Sequence, residues 1–321
     1  MSDAASIRAV CLMGPTASGK TSHAIELTKR YPFELISVDS AQVYREMDIG
    51  TAKPTPKVLD AYPHRLINIR EPWESYSAGD FCRDAVVAMQ EITAAGRIPL
   101  LVGGTMLYFQ ALQRGIAPMP AADPELRASL DQRAAVEGWS ALHAQLRELD
   151  PVTAERLQPT DAQRIQRALE VCMLAGEPMS ELHNATRPPL QADYLNIALL
   201  PSDRERLHRC IAERFMEMMD AGFLAEVRAL SELPGISADT SVMRSVGYRQ
   251  LWSHISGATG LDDAVEQAIV ATRRLAKRQL TWLRSWPDMH AIDSFSDDVG
   301  TQMDGILNSW FTSDASADIS R

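Results

Sequence analysis

The sequence predicts an α/β fold in which a parallel sheet is flanked by helices and interrupted by an all-helical insertion. Three observations carry that prediction. Apolar runs of strand length end at polar residues or glycine: SIRAVCLM before Gly14, ELISVDS at Asp39 and Ser40, and RIPLLVGG at Gly103 and Gly104. These runs are continuous rather than alternating, the pattern of parallel strands buried on both faces. Beyond the prolines of APMPAADPE, helical sequence continues to Leu182 with no strand pattern, and DYLNIALLPSD then reads as a strand again.

Taken in order, SIRAVCLM is rich in apolar β-formers, GPTASG supplies a turn, and KTSHAIELTKR offers helix formers with a basic end that suits the helix dipole. ELISV and RIPLLV follow as strands, and TMLYFQAL turns helical. Ligands of open α/β sheets gather beyond the carboxyl ends of the strands, so Gly14–Thr21, Asp39 and Gly103–Thr105 are expected on one crevice. PELRASLDQRAAVEGWSALHAQLRELD, PVTAERL and PTDAQRIQRALEVCMLAG read as helices, as does the amphipathic RERLHRCIAERFMEMMDAGF after the resumed strand. Further helices run to about Trp286. The expected organisation is a core over residues 1–120, a helical insertion over 121–190, the core resumed over 191–290, and a disordered polar tail over 311–321.

With 45% hydrophobic residues, the 321-residue chain can bury a substantial core. Its net charge of -10, from 42 acidic against 32 basic side chains, means that any nucleic-acid contact needs basic residues gathered locally. No apolar run is long enough to span a bilayer, and MSDAAS lacks the basic-then-apolar pattern of a leader. A cytoplasmic protein without membrane contact is therefore expected. Cys11, Cys82, Cys172 and Cys210 form no CxxC and the histidines show no zinc spacing, so reduced, mostly buried thiols and no zinc are expected.

The phosphate loop is the most specific local signal. Gly14, Gly19, Lys20 and Thr21 satisfy GxxxxGK[ST], a match that chance produces in roughly one chain of this length in a hundred. With a strand before it and a helix after it, the motif makes the sheet P-loop NTPase-like. Gly14, Pro15, Thr16, Ala17, Ser18, Gly19, Lys20 and Thr21 form the expected diphosphate or nucleotide site. The glycines let the backbone curl so that amides point at phosphate oxygens, and the helix start adds partial positive charge. Lys20 neutralises the outer phosphate and Thr21 offers its hydroxyl to Mg²⁺, the one expected cofactor. His23 is expected on a solvated helix face. ATPases with this loop usually carry a strand-end acid and water-activating groups, but here the strand ends LLVGG. Asp39 is the acid at a nearby strand end; it could ligand Mg²⁺ through water, act as a general base, or cap the next helix.

GPTASGKT, SVDSAQVYREMDIGTAKP, LLVGGTMLYFQAL, DAQRIQRALEV, RSVGYRQLW and LAKRQLTWLR together resemble the bacterial tRNA dimethylallyltransferases, also called tRNA isopentenyltransferases, from about Val10 to Trp286. The resemblance implies transfer of a dimethylallyl group from dimethylallyl diphosphate to N6 of the adenosine 3′ to the anticodon, with the loop holding the leaving group. It implies Asp39 as the base, Thr105 at the bridging oxygen, and Arg214 at the diphosphate; from its own context Arg214 reads as a solvated helix residue. The short polar C-terminus fits the bacterial form rather than the zinc-finger extension of eukaryotic members. A monomer is expected.

A stacked adenine must be flipped out to react, and single-stranded loops are held by local basic and stacking groups. ATRRLAKRQLTWLR supplies Arg273, Arg274, Lys277, Arg278 and Arg284 around Trp282, with a solvated basic face as the plain alternative. By resemblance, the anticodon stem-loop meets Lys277, Arg278, Gln279, Leu280, Thr281, Trp282, Leu283 and Arg284; Gln163, Arg164, Ile165, Gln166 and Arg167 with Arg127; Arg244, Ser245, Val246, Gly247, Tyr248 and Arg249; and Asp39, Ser40, Ala41, Gln42 and Thr105 beside the base. Three rivals share the loop. A kinase would not need the insertion or the basic helix, a prenyltransferase for free adenosine nucleotides would keep Asp39 and Thr105, and a nucleic-acid-stimulated ATPase would need a strand-end acid pair.

Overall fold

The computed structural model describes residues 7–117, 119–183 and 186–317. Six strands, β1 (Ile7–Met13), β2 (Phe33–Val38), β3 (His64–Arg65), β4 (Ile98–Gly103), β5 (Ala192–Leu200) and β6 (Met289–Asp293), form one parallel sheet in the order β3-β2-β4-β1-β5-β6. The chain divides into two compact units, Met1–Gln113 with Leu190–Arg321, and Arg114–Pro189.

In the sheet-bearing unit, β1 explains why its run is unbroken. Val10 and Leu12 pack with Ala24 and Leu27 of α1 (Lys20–Thr28) and with Met303 and Leu307 of α14 (Val299–Ala317). Ala9, Cys11 and Met13 pack on the other face against Phe81, Ala85 and Met89 of α3 (Ala78–Ala94) and Phe109 and Leu112 of α4 (Met106–Arg114). Both faces are dry, so both alternating sets must be apolar. The short α2 (Pro56–Ala61) precedes β3. After β5 come α10 (Arg204–Asp220), α11 (Phe223–Ser231), α12 (Tyr248–Ile255) and α13 (Leu261–Arg284), whose core joins Phe215, Phe223, Val227, Tyr248 and Leu251.

The second unit holds α5 (Pro124–Glu137), α6 (Trp139–Leu149), α7 (Pro151–Arg156), α8 (Ala162–Ala175) and α9 (Met179–His183). Its core is Leu130, Leu142, Leu146, Ile165 and Leu169. Asp150, fully buried, caps α7 through the Thr153 amide and accepts from the Ser180 amide and hydroxyl.

Three elements depart from expectation. The edge strands β3 and β6 have no apolar run to announce them, since MHAID is half polar and HR is two residues. The tail expected to be disordered from residue 311 is helical to Ala317, because α14 has an apolar anchor. Trp310 Nε1 donates to Asp193, the Arg8 guanidinium lies 3.7 Å from the Trp310 ring centre, and Phe311 stacks on Tyr31. Residues 318–321 and the MSDAAS segment lie outside the described residues. Among the described residues no helix is long and apolar enough to cross a membrane. Cys11, Cys82 and Cys172 are buried free thiols and Cys210 is half-buried.

Candidate active site

Because all strands are parallel, the carboxyl ends of β1, β2 and β4 share one edge of the sheet, and a cavity of about 710 Å³ opens there. Its floor includes Thr16–Thr21 of the phosphate loop, Asp39–Gln42 beyond β2, and Gly103–Thr105 beyond β4. The three segments singled out in the sequence therefore meet on one cavity. Gly14 and Pro15 are buried behind the loop.

The loop turns into α1 at Gly19, whose φ of 78° lies in the left-handed region that glycine adopts without cost. Ala17 also sits there, at φ 63°, a strained conformation for a residue with a Cβ. Lys20 Nζ is folded back on the loop, donating to Pro15 O at 2.6 Å and to Ser18 Oγ at 3.4 Å. Burial pulls its ammonium down to about 7 and the nearby Arg214 pulls the same way, with Asp39 opposing. Thr21 is exposed in the first turn of α1. His23 is half-buried rather than fully solvated, and burial lowers its basicity.

Asp39 forms a turn of its own: Oδ1 accepts from the amides of Ala41 at 2.8 Å and Gln42 at 3.2 Å. Among the described residues no bond engages Oδ2, which leaves that oxygen for a ligand. Thr105 Oγ1 accepts from the Ser40 amide at 3.1 Å, so the hydroxyl is held between the two strand ends. Arg214 enters from α10; burial lowers its basicity, partly offset by Asp39 and Glu217. Beside it Ile211, Phe215, Met218 and Leu275 add apolar surface to the cavity.

A second layer, invisible to local sequence reading, shapes the wall. Glu226 of α11 accepts from the amides of Asp48, Ile49 and Gly50 and from the Tyr248 hydroxyl, and so delivers Gly50, Thr51 and Ala52 to the cavity. Buried Lys53 ties the same segment together through Tyr44 O, Asp48 Oδ1 and Asn68 Oδ1. Asp48, Thr51 and Lys53 of MDIGTAK stand in no motif spacing that would mark them as wall-forming residues.

The residues expected at nucleic acid divide sharply. Arg244, Ser245, Val246, Arg278, Gln279 and Trp282 line the cavity, and Lys277, Thr281, Arg284 and Arg249 are exposed. Leu280 is half-buried against Leu207 and Ile211. Leu283 and Ile165 are fully buried in apolar cores, and Tyr248 is buried with its hydroxyl on Glu226, while Gly247 is buried at the start of α12. Packing keeps the side chains of Leu283, Ile165 and Tyr248 within the protein and Gly247 has none, so contact with RNA from these four positions is left to the backbone. In the helical unit Arg127 and Arg167 both bond Glu170, Gln166 bonds Asp131 and Arg127 O, and Gln163 and Arg164 are exposed.

Among the described residues no three His, Cys, Asp or Glu side chains converge on a metal-sized site. Magnesium accepts fewer protein ligands than that, keeping waters and substrate phosphates. The Thr21 hydroxyl, with Asp39 on the same cavity reached through water, is a donor set that fits it.

Comparisons with known proteins agree with this architecture. The family model described as IPP transferase matches residues 42–286, and that described as isopentenyl transferase matches residues 7–70. The full-length tRNA isopentenylpyrophosphate transferase of Bacillus halodurans is 34% identical over 96% of this chain and 99% of its own, with a TM-score of 0.69. The tRNA delta(2)-isopentenylpyrophosphate transferase of Staphylococcus epidermidis is 30% identical over 95% and 99%, also with a TM-score of 0.69. A eukaryotic dimethylallyltransferase acting on tRNA is 25% identical over 96% and 80%, with a TM-score of 0.79. Matched by that family model over more than half its length, the chain belongs to the IPP transferase family and is a prenyltransferase.

Proposed function

We infer that the protein transfers a dimethylallyl group from dimethylallyl diphosphate to N6 of the adenosine on the 3′ side of the anticodon in tRNA, releasing diphosphate. The observation that carries this is one cavity in which a phosphate loop, a strand-end carboxylate and an apolar wall coincide. A polyphosphate cradle alone serves many reactions. A neutral five-carbon chain additionally needs apolar surface beside it, which Phe215, Met218 and Leu275 supply.

In the reaction the bond between C1 of the dimethylallyl group and the bridging oxygen breaks, its electron pair leaving with the diphosphate, and the N6–C1 bond forms. Negative charge grows on the bridging oxygen, where preorganised donors lower the barrier most. Lys20, Arg214 and the Thr105 hydroxyl are the donors in reach of the cradle, and the incoming diphosphate replaces Pro15 O and Ser18 Oγ as partners of Lys20. When bound through Thr21, Mg²⁺ supplies further charge neutralisation to the departing oxygens. The adenine amine is a weak nucleophile because its lone pair is delocalised into the ring. Asp39, its Oδ1 fixed by two amides, orients that amine and takes its proton on Oδ2.

Recognition of tRNA rather than a free nucleotide is supported by Arg278 and Trp282 lining the cavity, Trp282 with 38% of its surface exposed. The test is incubation with labelled dimethylallyl diphosphate, Mg²⁺ and unmodified tRNA, beside tubes containing AMP or ATP. Label is expected in tRNA alone. Label in AMP alone moves the assignment to nucleotide prenylation, and ATP consumption without label overturns prenyl transfer.

A further inference from the structure

Gln279 lies in the inward stripe of α13, between buried Ala276 and Leu283, where an apolar residue would complete the pattern. Its carboxamide joins two segments that are remote in sequence. Oε1 accepts from the Thr16 amide of the phosphate loop at 2.9 Å, and Nε2 donates to Gly104 O, just beyond β4, at 2.9 Å. Only one orientation of the amide satisfies both partners, since one is a donor and the other an acceptor. The approach is close enough that a Cβ on Gly104 would lie 2.4 Å from Nε2. Thr16 begins the cavity-lining part of the loop, and Gly104 directly precedes Thr105.

We propose that Gln279 is a positioning residue for the leaving-group site: by bridging Thr16 and Gly104 it fixes the separation of the phosphate loop from the turn that carries Thr105. This deepens the function inferred above and rests on the reading that these two segments hold the diphosphate. Its neighbours on α13, Lys277, Arg278 and Trp282, are exposed and stay available to nucleic acid, whereas Gln279 is spent on the protein itself. The chemistry requires the bridging oxygen to meet Thr105 while the terminal phosphate stays on the loop, so a spacing error between them falls on the transition state.

The test uses the full chain carrying Gln279→Met, which keeps the volume and removes both bonds, and Gln279→Glu, with kcat and both KM values measured. Gln279→Met is expected to lower kcat about 10- to 100-fold with KM for tRNA changed by less than about twofold. A protonated glutamic acid restores the donor and acceptor pair, whereas the carboxylate turns a second acceptor on Gly104 O. The kcat of Gln279→Glu relative to wild type is therefore expected to rise as pH falls from about 8 to about 5, while the Gln279→Met ratio stays flat. A raised KM for tRNA with kcat intact, or two unaltered variants, overturns the proposal. If Gln279→Met does not fold, the pH ratio of Gln279→Glu decides alone. Wild type that transfers no label to tRNA overturns the inferred function instead; calorimetric affinity for magnesium pyrophosphate then decides the bridge, which unchanged binding in Gln279→Met overturns.

Discussion

The cavity and the helical unit handle buried charge in opposite ways. At the cavity, Arg214 and Asp39 act on the protonation of Lys20, and Asp39 on that of Arg214, yet among the described residues none of the three is joined in an ion pair. In the helical unit, Glu170 is fully buried and its charge is cancelled by Arg127 and Arg167, with the Asp123 amide adding a third donor. Charge withdrawn from water without a countercharge is costly, so a protein that leaves Lys20 and Arg214 in that state around a cavity is holding them for a ligand. Charge that is already cancelled holds structure instead. Arg127 and Arg167, both assigned to RNA by resemblance, fall on the structural side of that division.

The contrast breaks most severely at Asp39. Asp39→Ala is expected to reduce kcat for label transfer by about 10²- to 10⁴-fold, the usual range for a general base. Because Asp39 would reach Mg²⁺ only through water, affinity for magnesium pyrophosphate, measured by calorimetry, is expected to fall by far less than kcat, by no more than about tenfold. Loss of diphosphate binding in the same variant would make Asp39 a metal or loop-ordering residue rather than the base.

Glu170 gives the opposite signature. Glu170→Gln is expected to destabilise the protein by about 1–3 kcal/mol in urea titrations, since it weakens charge-assisted bonds at a buried site, while pyrophosphate affinity stays put. Burial pushes the Glu170 carboxyl up, but the bonds from Arg127, Arg167 and the Asp123 amide win and hold it below the ordinary glutamate value. A lowered folded value means the contribution is fully present above the unfolded value of about 4.5 and fades as pH falls through the folded one. The variant is expected to lose that acid dependence.

Lys20 sharpens the comparison through pH. With its ammonium near 7 in the ligand-free cavity, the protein above that pH must take up a proton to bind diphosphate. Affinity for pyrophosphate is expected to fall by up to about tenfold per pH unit above 7, relative to Lys20→Met. The ligand's own titration is common to both proteins and cancels in the ratio. For stability the sign reverses. Between about 7 and the unfolded value near 10.5 the unfolded chain binds the extra proton, so wild type gains stability as pH rises and Lys20→Met does not.

Much of the cavity was legible because its segments announce themselves locally. A phosphate loop is contiguous, Asp39 and Thr105 stand at the ends of unbroken apolar runs, and a parallel sheet brings such ends to one edge. What stayed hidden is coupling across sequence distance. Glu226 reaches back to Gly50 and Gln279 to Thr16, and neither glutamate nor glutamine on an amphipathic helix signals that its partner is a backbone amide in another segment. The insertion was readable as helices for the same local reason, whereas its charge pairing was not: Glu170 stands three residues after Arg167 in DAQRIQRALEV, but nothing in that segment shows that Arg127 of α5 shares the carboxylate.

Arg164 is the exception within the helical unit and supplies the smallest test. It follows the cap of α8 with three-quarters of its side chain exposed, and its nearest acid, Asp161, is 3.8 Å away and not hydrogen-bonded. Its ion pair is exposed and without a hydrogen bond, so its charge stays available to a ligand, unlike that of Arg167 three residues along the same helix. Arg164→Ala is expected to raise KM for tRNA about threefold and to make the salt dependence of tRNA binding shallower by about 0.7 in logarithmic slope, the value for one contact to single-stranded phosphate. Arg167→Ala, by contrast, is expected to lower the unfolding midpoint and leave the salt slope in place, because its guanidinium is already committed to Glu170 and Pro120 O. Equal salt slopes for the two variants would show that pairing inside the protein does not decide which arginines RNA can use.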